Sequence, residues 1–171
     1  KCTDYNNKIV FGWFPWFSVT TIDKVDWKGL THIAPIGFEI DKGGYTPTFD
    51  DKGIDLKWPW IDFINAAHKN GVKVLAAITG NVRDGGNTAF YVDLFGDSQK
   101  MRAAAVAIAK FVDKYNLDGI NMDIEEFYNS LPNHGAKYNE LAKYIKEELD
   151  KINPDFELSI ATYPGNESNE W

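Results

Sequence analysis

The chain has 171 residues, 44% of them hydrophobic, and a single cysteine, Cys2. That is enough apolar sequence for one buried core, and it excludes an internal disulfide framework. The net charge of −7, with acids and bases mixed along the chain, argues against a nucleic-acid or bilayer-surface partner, and no apolar run is long enough to span a membrane.

Strand patterns alternate with helical ones, which points to the α/β class with a parallel sheet and crossover helices. Ile9 to Phe14 reads as the first strand, a weak helix follows near Ile22 to Lys28, and Thr31 to Phe38 reads as the second strand. Glu39 to Pro59 reads as a long loop. Trp60 to Asn70 reads as a helix with Ile61, Ile64 and Ala67 on one face and Gly71 placed to end it. Val72 to Gly80 is the third strand, and Asn81 to Asp97 reads as a second long loop. Asp97 or Ser98 then caps an Ala-rich helix reaching Tyr115, with Val106, Ala109 and Val112 as its buried stripe. The fourth strand runs from Leu117 to Glu126. Gly135 to Ile152 is helical, with Leu141, Ile145 and Leu149 at one-turn spacing, and Asn153-Pro154 stops it. Phe156 to Thr162 is the fifth strand. The long loops follow strands, at the end where loops build sites in barrels of this class.

The fourth strand carries the chemistry. Alternation puts Ile120, Met122 and Ile124 on one face and Asn121, Asp123 and Glu125 on the other. Burying a polar row is costly, so that face should line a pocket where the row acts. Asp123 and Glu125 are two residues apart on one strand face, roughly 7 Å at the Cα atoms. Like charges and partial burial raise one pKa of such a pair, which suits a general acid. A strand end with solvated acids and a divalent-metal site are the other readings of alternation alone. Glu126 points away from the lumen, and Asp118 reads as a hydrogen-bonding residue at the strand entrance.

Asp118-Gly119-Ile120-Asn121-Met122-Asp123-Ile124-Glu125 resembles the Asp-Gly-x-Asp-x-Asp-x-Glu signature of glycoside hydrolase family 18, preceded here by a helix as that family requires. The family holds chitinases, endo-β-N-acetylglucosaminidases, some spore and peptidoglycan hydrolases, and inactive chitinase-like lectins. The resemblance implies a (β/α)8 barrel, of which about five strands lie in this chain. It implies that Glu125 is the acid/base and that Asp123 orients the substrate N-acetyl group. Asn121 stands where most members carry the first Asp of the trio; some, notably peptidoglycan-directed ones, also carry Asn. In the third strand Ala77 and Thr79 replace the Ser and first Gly of the family's Ser-x-Gly-Gly. The family Ser contacts the acidic trio, so its loss and that of the first Asp read as a matched pair.

The implied activity is retaining hydrolysis of a β-linked N-acetylglucosamine glycan, with the substrate's own N-acetyl oxygen as nucleophile and no metal or organic cofactor. A binding-only chitinase-like protein and an inactive barrel fragment are the alternatives. Trp13, Phe38 and Tyr163 are the candidate sugar-contacting aromatics at strand ends, where flat faces suit sugar C–H groups, although burial in the core is the commoner fate of such residues. The family's site tyrosine lies on a later strand, so its role does not transfer to Tyr163. His32, His68 and His134 form no metal-ligand spacing, and Asp84-Gly85-Gly86-Asn87 reads as a substrate loop. A full barrel needs about 250 residues. The expectation is therefore a single domain over 1–171, incomplete at its C-terminus or completed by self-association. Cys2 near the start admits a lipoprotein attachment, and the expected location is secreted or cell-surface.

Overall fold

In the computed structural model the described residues are 8–15, 21–48, 60–80, 88–124 and 133–161. Five parallel strands form the sheet: β1 (Phe11–Pro15), β2 (His32–Ile40), β4 (Lys73–Gly80), β5 (Gly119–Ile124) and β6 (Glu157–Ile160). They lie side by side in that order, which is the order of the chain. Among the described residues this is the start of a barrel, open between β1 and β6. The five correspond to the five strand expectations. A short β3 (Pro47–Thr48) pairs antiparallel with the end of β2, inside the stretch expected to be a loop.

Four α-helices accompany the strands: α1 (Trp60–Lys69), α2 (Thr88–Gly96), α3 (Ser98–Lys114) and α4 (His134–Ile152). The main apolar cluster contains Val74, Ala76, Ile78, Ile120, Met122 and Ile124, together with Phe63, Ile108 and Leu141 from the helices. Leu75 and Ala77 are equally buried but fall on the opposite face of β4, outside that cluster. Both faces of the central strands are thus covered, as parallel sheets require.

Local chemistry sets the helix boundaries. Asp97 caps α3, its side chain accepting from the backbone N–H groups of Gln99 (2.8 Å) and Lys100 (3.3 Å). Ser98 donates to Glu140 on α4 at 2.6 Å, which docks the two helices at one end. Gly71, with φ +72°, ends α1 in a Schellman arrangement: Val72 N–H donates to Ala67 O and Gly71 N–H to His68 O, both near 3.0 Å.

Some expectations are corrected. The first crossover contains two short 3-10 turns, residues 21–24 and Trp27–Gly29, in place of an α-helix. Ile61 is 46% exposed, and α1 buries Trp60, Phe63, Ile64 and Ala67 instead. The stripe of α3 runs through Met101, Ala105, Ile108 and Val112, with Val106 only half-buried. Helix α2 occupies part of the second expected loop. Tyr91, Leu94 and Phe95 are all buried there, so its apolar residues do not form the one-sided pattern by which a surface helix is recognised.

The Asp-Gly pair opening β5 has a steric cause. Gly119 adopts φ +159°, and a Cβ there would lie 2.0 Å from the carbonyl oxygen of Glu157. Only a residue without a side chain lets β6 approach. Asp118 beside it accepts from His68 Nε2 and from the backbone N–H of Val74, each at 2.7 Å, tying α1, β4 and β5 together as its turn position suggested. Gly119→Ala is expected to cost about 3 kcal/mol or more, as overpacking against rigid backbone does. The urea midpoint, measured against wild type by circular dichroism, checks this.

Candidate active site

The inward face of the sheet is built in rungs of cross-strand partners. The lowest joins Phe11, His32 and Lys73; above it lies Leu75–Gly119–Glu157, then Ala77–Asn121–Ser159, then Thr79–Asp123. Asn121 is 2% exposed, whereas Asp123 is half-buried, nearer the C-terminal end of the strand. The sequence alternation of β5 is therefore realised, with its apolar face against helices and its polar face in the lumen. Among the predicted site residues, Asn121 and Asp123 are brought onto one face. Glu125 and Tyr163 lie outside the described residues, as do Cys2, Glu126 and the 84–87 loop.

Trp13 lies on the same face by its pairing with Ala34 and is 44% exposed, with its ring tilted against Phe11 at 5.5 Å. Phe38 does not share that face, which corrects its assignment as a sugar-contacting residue. It is 1% exposed and packs against Trp60 of α1 and Phe111 of α3, with ring centroids 5.6 and 5.8 Å away. The reason is a register shift between Ile36 and Phe38, where Gly37 adopts φ +122°. Ile36 pairs with Ala77, but Phe38 pairs with Ile78, so the strand changes parity and the ring turns to the helices.

After the shift Glu39, which pairs with Thr48 of β3, falls on the face opposite Phe38. Reading β2 as an uninterrupted strand hides this acid; the glycine within it is the signal that could have revealed it. Tyr91 of α2 donates its phenol hydrogen to the Thr79 carbonyl at 3.2 Å, and burial raises its pKa.

A second polar group closes the lower end of the lumen. His32 Nε2 bonds Glu157 Oε2 at 2.8 Å, and His32 Nδ1 meets the Thr31 hydroxyl at 2.8 Å. Lys73 bonds the other oxygen of Glu157. Burial pushes the Glu157 carboxyl up, but the hydrogen bond from Lys73 and the adjacent His32 outweigh it and hold its pKa below the ordinary value. The bond to Glu157 outweighs burial at Lys73 and holds that ammonium above its ordinary value. This group pins β6 to β2 and β4 across β5. A cleft of about 610 Å³ beside it, lined by Lys73, Lys146, Asp155 and Glu157, sits at the end of the strands opposite Asp123. Among the described residues no set of three His, Cys, Asp or Glu side chains could hold a metal ion, and no helix is long and apolar enough to cross a membrane.

The Glu157 group makes stability pH-dependent. A carboxyl whose pKa is lowered by folding contributes stability above its unfolded value, near 4.5, and loses it as pH falls through the folded value. Glu157→Gln is expected to be less stable than wild type at pH 7, with the two urea midpoints converging as pH is lowered below about 4.

The family model for glycosyl hydrolases family 18 matches residues 8–171. Among solved structures, the chitinase ChiB from the chitin utilization locus of Flavobacterium johnsoniae superposes with a TM-score of 0.71 at 19% identity, covering 95% of this chain and 50% of that one. A plant class V chitinase mutant from Cycas revoluta, in complex with (GlcNAc)3, gives 0.71 at 16%, covering 91% and 46%. The spore cortex-lytic enzyme SleL of Bacillus cereus gives 0.66 at 17%, covering 88% and 34%. The chain thus spans half or less of the length of these structures. No curated protein matches the sequence.

Proposed function

The chain belongs to the glycosyl hydrolases of family 18, and from that premise we propose that it hydrolyses β-linked N-acetylglucosamine glycans of the chitin type, retaining configuration at the cleaved carbon. The observation that carries the reading is the inward row on β5, where Asn121 and Asp123 share the lumen face and Glu125 follows two residues on. Family 18 is among the exceptions to the two-carboxylate rule for retaining glycosidases, because the substrate supplies the nucleophile. In this scheme Glu125, protonated, gives its hydrogen to the leaving glycosidic oxygen. The N-acetyl oxygen of the sugar attacks the anomeric carbon, and Asp123 holds the acetamido group and stabilises the positive charge that forms on it. Ionised Glu125 then takes a proton from water, which opens the cyclic intermediate.

The half-buried setting of Asp123 supports an orienting role, since a carboxyl partly withdrawn from water makes stronger electrostatic contacts. Trp13 offers an exposed aromatic face on the inward side of β1, suited to the apolar face of a sugar ring. The presence of Glu125 favours turnover over binding alone, because a protein that only bound glycans would not need the acid.

Release of a fluorescent leaving group from N-acetylglucosamine di- and trisaccharides tests the proposal. Glu125→Gln is expected to lower kcat by about 10²-fold or more while sugar binding persists, the usual cost of removing a general acid. Unchanged turnover in that variant would sink the assignment. Asp123→Asn is expected to lower kcat strongly on the same N-acetylated substrates; an unaffected kcat would show that the acetamido group is not the nucleophile.

A further inference from the structure

A hydroxyl sits within the apolar layer on the helix side of the sheet. Tyr91 of α2 is buried and belongs to the apolar cluster. Phenylalanine would fill the same place without the cost of burying an O–H group. The hydroxyl therefore has a task that the ring alone does not perform.

That task is at the backbone. The phenol donates to the Thr79 carbonyl of β4 at 3.2 Å and bonds the backbone of Ile40, the last residue of β2. Burial, and next the Glu39 carboxylate, raise its pKa, so the phenol keeps its hydrogen and remains a donor. The ring reaches the third strand. A Cβ on Gly80 would lie 2.7 Å from Ile124 Cγ2 and 3.1 Å from the Tyr91 ring. The glycine thus leaves a space that Ile124 and the ring share.

Gly80 and Ile124 are cross-strand partners and the last residues of β4 and β5. One side chain from α2 therefore braces the C-terminal ends of β2, β4 and β5, three neighbours in the sheet. Barrel sites are built at that end, and Glu125 follows Ile124 in the chain. We propose that Tyr91 is a positioning residue for the acid: its hydroxyl fixes the Thr79–Gly80 peptide and its ring seats Ile124, so that β5 delivers Glu125 in one direction. It does this from behind the sheet, outside the lumen. A reacting group displaced by about 1 Å loses about 10²-fold in rate, so a brace one residue from the acid has large leverage. The catalytic part rests on the glycosidase reading; the bracing of the strand ends does not.

Two variants of the full chain test this. Tyr91→Phe removes the hydroxyl and keeps the ring, and Tyr91→Leu removes both. The Thr79 hydroxyl still donates to the Phe38 carbonyl at 3.3 Å, so β4 stays tied to β2 when the phenol is lost. Kinetics are measured on a fluorescent N-acetylglucosamine trisaccharide, at a temperature where each variant is folded by circular dichroism. Tyr91→Phe is expected to lower kcat about 10-fold with KM within about twofold of wild type, and Tyr91→Leu to lower kcat about 10²-fold. A residue that only stabilises the core would lower the urea midpoint and leave kcat of the folded variant unchanged. That outcome, or a raised KM with kcat unchanged, overturns the proposal.

A second measurement needs no turnover. Nitrogen-15 relaxation of the Gly80 and Ile124 amides is expected to give order parameters of about 0.85 in wild type, as in rigid backbone, and about 0.7 or less in Tyr91→Phe. Equal values in the two proteins overturn the bracing. A wild type without turnover would overturn the functional reading alone, and the order parameters then decide the brace. Normal turnover in folded Tyr91→Phe would overturn this inference alone.

Discussion

A central strand in a parallel sheet has two faces to satisfy, and β5 satisfies them with opposite chemistry. Ile120, Met122 and Ile124 enter the apolar cluster under the helices, while Asn121 and Asp123 turn inward. A slip of one residue would put the carboxylate among the helices and the aliphatic side chains in the lumen. The hydrophobic demand of the outer face therefore fixes the register, and the register delivers the polar row. The junction at Asp118 and Gly119 protects that register, through two hydrogen bonds to the Asp118 carboxylate and the close passage of the Glu157 backbone over Gly119.

Polarity inside the sheet is arranged by depth. At the lower end the charges are paired, with Glu157, about a third exposed, held between the buried His32 and the more exposed Lys73. In the middle the polar side chains are neutral, Asn121 against Ser159 beside Ala77. At the upper end Asp123 is only half-buried. Charge thus lies where it is either neutralised by a partner or partly open to water, and the dry middle holds an amide. The neutral Asn121, with Ala77 beside it on β4, fits this gradient, and the neighbouring hydroxyl comes from Ser159 on β6.

Much of the architecture was legible along the chain. Period-two runs marked the five parallel strands, and cap chemistry marked Asp97 and Gly71 correctly because both act within a few residues. The errors cluster where local pattern carries little information. Helix α2 is buried and aromatic, so it lacks the one-sided stripe that identifies a surface helix. Phe38 followed an apparently regular strand, yet one extra residue at Gly37 reversed the facing of everything after it. Alternation is reliable only between bulges, and a bulge is decided by the neighbouring strand.

The sequence by itself determined the class of fold, the spacing of the inward row on β5 and the family to which the chain belongs, because each depends on residues close together. Tertiary structure decided which distant residues complete that row. Ser159 is 38 positions from Asn121 and Glu157 is 125 from His32, and no short-range pattern announces either pair. They meet because parallel strands joined by crossover helices bring equivalent heights of separate strands side by side, and hydrogen bonds then select the partners that a buried polar group requires.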